Sequence, residues 1–122
     1  MTKQLLGSLE SRIMHFFWNS PDSHSISDLQ QFLNQSDTLA YTTVSTIVSR
    51  LEAKGLLHRE KSGRGYLYQA AVSEEEFRQS TSRKLIRNLL GSFGDLAIAG
   101  FVDELKSDPK SLQKLRELSG EN

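Results

Sequence analysis

The amino-acid sequence predicts a mainly α-helical protein: three helices closed by a β-hairpin, then a tail of three more helices. Three observations predict it. Apolar residues recur at helical spacing in successive stretches along the chain. The period changes once, between Leu56 and Ala70, where two short extended runs flank Ser62-Gly63-Arg64-Gly65. Directly afterwards Ser73-Glu74-Glu75-Glu76 forms a capping box, which opens a new helical series.

Taken in order, Leu6, Leu9, Ile13, Phe16 and Phe17 form one stripe of a first helix over 6–18. Trp18 ends it, because Asn19-Ser20-Pro21-Asp22 is a turn cluster that cannot continue a helix. Phe16, Phe17 and Trp18 read as core. Ser25 or Ser27 starts a second helix, with Asp28 three residues after Ser25 and a buried stripe of Ile26, Leu29, Phe32 and Leu33. Asn34 to Leu39 is a loop. The third helix, 41–54, is rich in Thr, Val and Ile, which by propensity favour a strand. Spacing decides otherwise: Val44, Ile47, Val48 and Leu51 fall at i, i+3, i+4 and i+7, and Gly55 follows as a helix stop.

The hairpin comes next, with Arg64 at its tip and Tyr68 packing it onto the helices. Beyond Ser73, Phe77, Thr81, Leu85, Leu89 and Phe93 descend a helix in steps of four, widened by Ile86 and Leu90, until Gly91 to Gly94 interrupts it. A further helix from Asp95 to Lys106 carries Ile98, Phe101, Val102 and Leu105 on one face. Asp108-Pro109 opens the last helix, edged by Leu112, Leu115 and Leu118. The organisation is a first domain over 1–72 and a second over 73–122. About fifty residues of singly striped helices bury too little surface to stand alone. The tail is therefore expected to pair with a second copy as a homodimer; folding back onto the first domain is the other option.

Composition narrows the function. The chain has no cysteine, which excludes disulfides and thiolate chemistry. No apolar run approaches the roughly 18 residues that span a bilayer, and the N-terminus lacks a signal-peptide pattern. Cytoplasmic location without membrane insertion is expected. His15, His24 and His58 have no second ligand at helical spacing, so neither metal nor cofactor is expected. No Ser/His/Asp set or phosphate-cradling glycine loop is present, and the chain does not read as an enzyme.

What remains is a surface. Net charge is zero, yet Tyr41 to Tyr66 holds five basic residues (Arg50, Lys54, Arg59, Lys61, Arg64) against two acids (Glu52, Glu60). The outward side of the third helix carries Thr42, Thr43, Ser45, Thr46 and Ser49, flanked by Arg50 and Lys54. Thr and Ser are poor helix formers, and a merely solvated face would favour Glu, Lys or Ala. Short hydroxyls let a helix approach base edges, and threonine methyls suit the thymine methyl. Arg50, Lys54 and Arg64 suit phosphates. Each has a structural alternative: Arg50 could pair with Glu10, Lys54 could be a helix-end charge, and Arg64 a plain turn residue.

Three helices with a basic-tipped hairpin are the winged variant of helix-turn-helix. LGSLESRIMHFFW, YTTVSTIVSRLEAKG and the SGRGYLYQA hairpin also carry the patterns LGxLExxIMxxxW, YTTVxTxxxRLxxKGxL and GRxxxY. With the helical tail, these resemble the penicillinase-repressor family (the BlaI/MecI/CopY type) of bacterial transcription regulators, over residues 6 to 72. The resemblance implies a homodimeric repressor on double-stranded operator DNA with an inverted repeat. The tail interface would be drawn from Phe77, Leu85, Ile86, Leu89, Leu90, Phe101, Val102, Leu105, Leu112 and Leu115. It also implies release by a sensor protease at an Asn-Phe bond. The matching place is Gly100-Phe101, where the Phe is kept and the Asn is not. The cysteine motif of the copper-responsive members is missing. Two other readings use the same residues: a winged-helix adaptor docking on protein, and a repressor whose dimer cleft holds a small ligand near Phe93 and Phe101.

Overall fold

Most of the helices begin where a side chain supplies a hydrogen bond that the first turn lacks. The computed structural model describes residues 6–120; the outermost residues of the 1–72 and 73–122 assignments lie outside them. Its elements are α1 (Ser8–Trp18), α2 (Ile26–Leu33), α3 (Tyr41–Ala53), β1 (Leu57–Ser62), β2 (Gly65–Ala70), α4 (Glu74–Phe93), α5 (Asp95–Lys106) and α6 (Pro109–Ser119). This is the expected order: three helices, a hairpin wing and three helices. Ser25 caps α2, accepting from the Asp28 N–H at 3.1 Å while Asp28 accepts from the Ser25 N–H at 3.2 Å. Ser73 and Glu76 make the same reciprocal pair at 3.0 Å. Asp108 caps α6 with Pro109 in its first turn. At α1, Glu10 accepts from the Gly7 N–H at 3.0 Å.

The chain divides into two compact units, one ending at Thr81 and one beginning at Ser82. In the first, Ile13 and Met14 of α1, Leu29 and Leu33 of α2, and Val44, Val48 and Leu51 of α3 are fully buried together. Burying each such side chain is worth about 1.5–3 kcal/mol, which outweighs the few tenths that β-branching costs a helix. Phe32 departs from the expected buried stripe and stands 44% exposed. The stop of α3 is a two-bond cap: the Gly55 N–H donates to the Glu52 carbonyl and the Leu56 N–H to the Leu51 carbonyl, both at 2.9 Å. Gly55 makes it with φ +80°, where a side chain would be strained.

The wing is tighter than its sequence suggests. β1 and β2 pair antiparallel from Leu57↔Ala70 to Ser62↔Gly65, so the loop shrinks to Gly63-Arg64. Gly63, at φ +60°, supplies the positive angle that a two-residue hairpin needs at its first central position. A single-residue bridge, invisible in the sequence, ties the wing to the segment before α2: His24 and Tyr68 exchange backbone hydrogen bonds at 2.8 and 2.7 Å. Trp18 donates its indole N–H to the Val72 carbonyl at 3.0 Å, and its ring lies 5.5 Å from that of Phe77. Phe77 is thereby buried in the first unit.

In the second unit α4 continues through Gly91 and stops only at Gly94, whereas the sequence suggested a break over the whole of Gly91 to Gly94. One glycine costs a helix roughly 1 kcal/mol, which a continuous run on both sides tolerates. Leu105 is buried and Leu112 half-buried. Leu85, Ile86, Leu89, Leu90, Phe101, Val102 and Leu115 are all 40% exposed or more.

Candidate nucleic-acid interface

The outer side of α3 is built on the buried one. With Val44, Val48 and Leu51 locked inward, Thr42, Thr43, Thr46, Ser49 and Arg50 face solvent, and Ser45 is half-buried at the edge. Thr46 donates its hydroxyl to the Thr42 carbonyl at 2.8 Å, a back-bond that orients the side chain and leaves lone pairs available to a donor. No side chain caps α3 at Ala40. Its entry is fixed instead by the preceding loop. Asn34 accepts from the Leu39 N–H at 2.8 Å and donates back to the Leu39 carbonyl at 3.3 Å, while Gln30 donates to the same carbonyl at 2.9 Å. Arg12 ties that loop to α1, pairing with Asp37 and donating to the Ser36 hydroxyl at 2.9 Å. The side chains of Arg12 on α1, Gln30 on α2 and Asn34 just beyond it thus hold the loop that leads into the N-terminal end of α3.

The far end is tied by charge. Lys54 reaches Glu10 at 2.9 Å, so Glu10 takes the pairing that the sequence left open to Arg50, and Arg50 stays exposed on the outer face. The Lys54 ammonium holds the Glu10 carboxyl below the ordinary carboxylate range, aided by the Gly7 N–H and the charge of Arg50 and opposed by desolvation. A depressed carboxyl contributes stability above its unfolded value and loses it as pH falls through the folded one. Glu10→Gln should therefore flatten the acid limb of a melting profile taken below the ordinary glutamate range. The difference at neutral pH should be no more than about 1 kcal/mol, since Lys54 is half-exposed. An acid limb identical to that of the unaltered protein would refute it.

The wing is coupled to α3 by Arg59, a residue the sequence marked only as part of the basic excess. Its Nε lies 3.2 Å from the Glu52 carboxylate, and its guanidinium sits 4.2 Å over the Tyr66 ring. Arg59 is thus spent within the protein. Arg64, in the turn, is exposed. Arg12, Gln30, Asn34 and Arg59 are the positioning residues that sequence reasoning missed; their partners lie at separations set only by the folded chain. The predicted reading residues from Thr42 to Arg50 come together on one face. Lys54 stands at the end of the helix against α1, and Arg64 on a separate element.

A family model described as "Penicillinase repressor" matches residues 6–121. The chain belongs to the penicillinase repressor family. This is a family of winged-helix DNA-binding transcriptional regulators and not of enzymes. The repressor is 24% identical over 114 residues to the methicillin resistance regulatory protein MecI of Staphylococcus aureus, spanning 93% of this chain and 91% of that protein. It is 28% identical over 109 residues to an uncharacterized 16.5 kDa protein of Latilactobacillus sakei, spanning 89% of this chain and 74% of the relative. Among solved structures, Rv0081 of M. tuberculosis shares the fold with a TM-score of 0.50 at 18% identity, covering 75% of this chain and 86% of that one.

Proposed function

We propose that the repressor acts as a homodimer on an inverted-repeat operator in double-stranded DNA, each protomer placing α3 in a major groove and its wing on the flanking backbone. The observation that carries this reading is the face of α3: exposed hydroxyls with Arg50, on a helix whose opposite face is locked in the core. Thr42, Thr43, Ser45, Thr46 and Ser49 then read base edges or nearby phosphates, and Arg50, Lys54 and Arg64 neutralise backbone charge. Lys54 would share its ammonium between Glu10 and a phosphate. Half-sites lie about one helical turn apart, so that the two-fold axes of protein and DNA coincide.

The dimer reading rests on the exposed leucines and aromatics of the second unit, above all Leu85, Ile86, Leu89, Leu90, Phe101, Val102 and Leu115. Phe77 and Leu105, already covered within the chain, and the half-buried Leu112 shape the surface rather than form it. For release, Gly100-Phe101 lies inside α5, with Phe101 62% exposed. A sensor protease acting there would need α5 to open locally. Operator binding places the protein in the cytoplasm, and no helix among the described residues is long and apolar enough to cross a membrane.

Anisotropy titration of the repressor's own promoter over a range of salt tests the reading. Saturable, salt-dependent binding is expected; a protein-docking adaptor would give none. Arg64→Ala should weaken binding and reduce the slope of log K against log salt by about one, the signature of one lost phosphate contact. An unchanged slope would return Arg64 to a turn residue.

A further inference from the structure

The first unit holds an open cavity of about 590 Å³ that the operator reading does not use, lined by Arg12, His15, Phe16, His24, Phe32 and Ser36 among others. Its wall is aromatic. The Phe16 ring centroid lies 4.9 Å from that of Phe32 and 4.8 Å from that of His24. Phe32 keeps 44% of its surface open, although it belongs to the apolar stripe of α2. The polar side offers one guanidinium and two imidazoles, and no carboxylate lines it. Each of the three has an acid beside it. Asp37 holds Arg12, Glu74 lies 3.7 Å from His15 Nδ1, and Asp28 lies 3.7 Å from His24 Nδ1. Ser20 Oγ is 2.7 Å from His24 Nε2, which fixes that ring against the wall.

We propose that this cavity is an effector site for a small aromatic carboxylate, its ring on Phe16, Phe32 and His24 and its carboxylate taking Arg12 from Asp37. The volume suits a small ligand, and aromatic surface with few convergent polar groups is how such sites are built. A guanidinium fork matches a carboxylate in two parallel hydrogen bonds. The exchange is inexpensive because the Arg12–Asp37 pair is solvent-exposed, with 38% and 48% of the side chains open, and such pairs contribute little. Its consequence is local and directional. Arg12 is the tie from α1 to the loop that enters α3, so a change of partner releases Asp37 and loosens the entry of the reading helix. The Asn34 and Gln30 bonds to Leu39 remain. The effect on operator affinity rests on the proposed function; the binding does not.

The test titrates the full-length protein, without DNA, with 2-naphthoate and with the isosteric neutral 2-naphthamide, following the ring resonances of Phe32 and His24 by NMR. Saturation by naphthoate is expected near 1 mM, about the efficiency of a small ligand, with the amide about tenfold weaker. Arg12→Gln should erase the preference for the acid. Asp37→Asn should tighten naphthoate by removing its competitor. Opposite signs from the two partners of one ion pair cannot come from general destabilisation, and the acid-to-amide comparison on the unaltered protein needs no variant to fold. Equal binding of acid and amide, weaker binding by Asp37→Asn, or shifts confined to Phe93 and Phe101 would overturn the site. Operator affinity is then measured with and without naphthoate: a decrease supports the coupling through the loop, and no change overturns that coupling alone.

Discussion

Glutamate at both Leu85 and Leu89 should lower operator affinity by about two to four orders of magnitude while the winged-helix unit stays folded. Both residues lie in α4 beyond Thr81, 42% and 51% exposed, and neither belongs to the core of the first unit. Within one chain both side chains are exposed and neither is part of a buried core. Between two chains it would place like charges in an apolar surface, where an unpaired carboxylate is costly. The affinity falls because a dimer bound at one half-site presents the winged-helix unit of its other protomer at high effective concentration to the second half-site; a monomer must bind each half-site anew. Sedimentation and anisotropy together decide it. A variant that sediments as a monomer yet binds the full operator with unaltered affinity would remove the dimer from the mechanism. A variant that remains a dimer would move the interface to Phe101, Val102 and Leu115.

What could be read from the sequence was what depends on neighbours along the chain. Val44, Ile47, Val48 and Leu51 outweighed their own strand propensity because burial of a stripe is worth more than the χ1 freedom that β-branching loses. Ser25, Ser73 and Asp108 announced their helices, since a cap needs only its own first turn. Gly91 misled for a related reason: a glycine marks permission to break, and only Gly94 uses it. The candidate face was legible because an outward surface is the complement of a buried one. Its supports were not. The ties Arg12 to Asp37, Trp18 to Val72, His24 to Tyr68 and Arg59 to Glu52 join residues from different elements, and no local pattern selects them. Glu10 shows how narrow the margin is: Arg50 and Lys54 lie one helical turn apart, and the fold gives the carboxylate to Lys54. Phe77 shows it again. Its place in a stripe was clear, but Trp18 draws it into the first unit while Leu85 and Leu89 stay uncovered.

One substitution made at two sites separates the two jobs of leucine in this chain. Leu51→Ala should cost the first unit about 2–5 kcal/mol, because Leu51 is fully buried among α1, α2 and the wing and its removal leaves a cavity that close-packed neighbours only partly fill. Against a typical total of about 5–15 kcal/mol, that is enough to shift the melting transition by many degrees. The loss falls on the helix proposed to read DNA, from its hidden side, so operator affinity should fall only by the unfolded fraction and recover on cooling towards the temperature of maximum stability. Leu89→Ala changes the same atoms on a side chain 51% exposed. The melting of the first unit should be unmoved by it, and its effect should grow as protein is diluted, because only assembly is weakened. Denaturant melts of the two variants at two protein concentrations check both halves. If Leu89→Ala destabilised the first unit as Leu51→Ala does, the exposed stripe of α4 would be part of that unit's core, and the dimer would lose its main support.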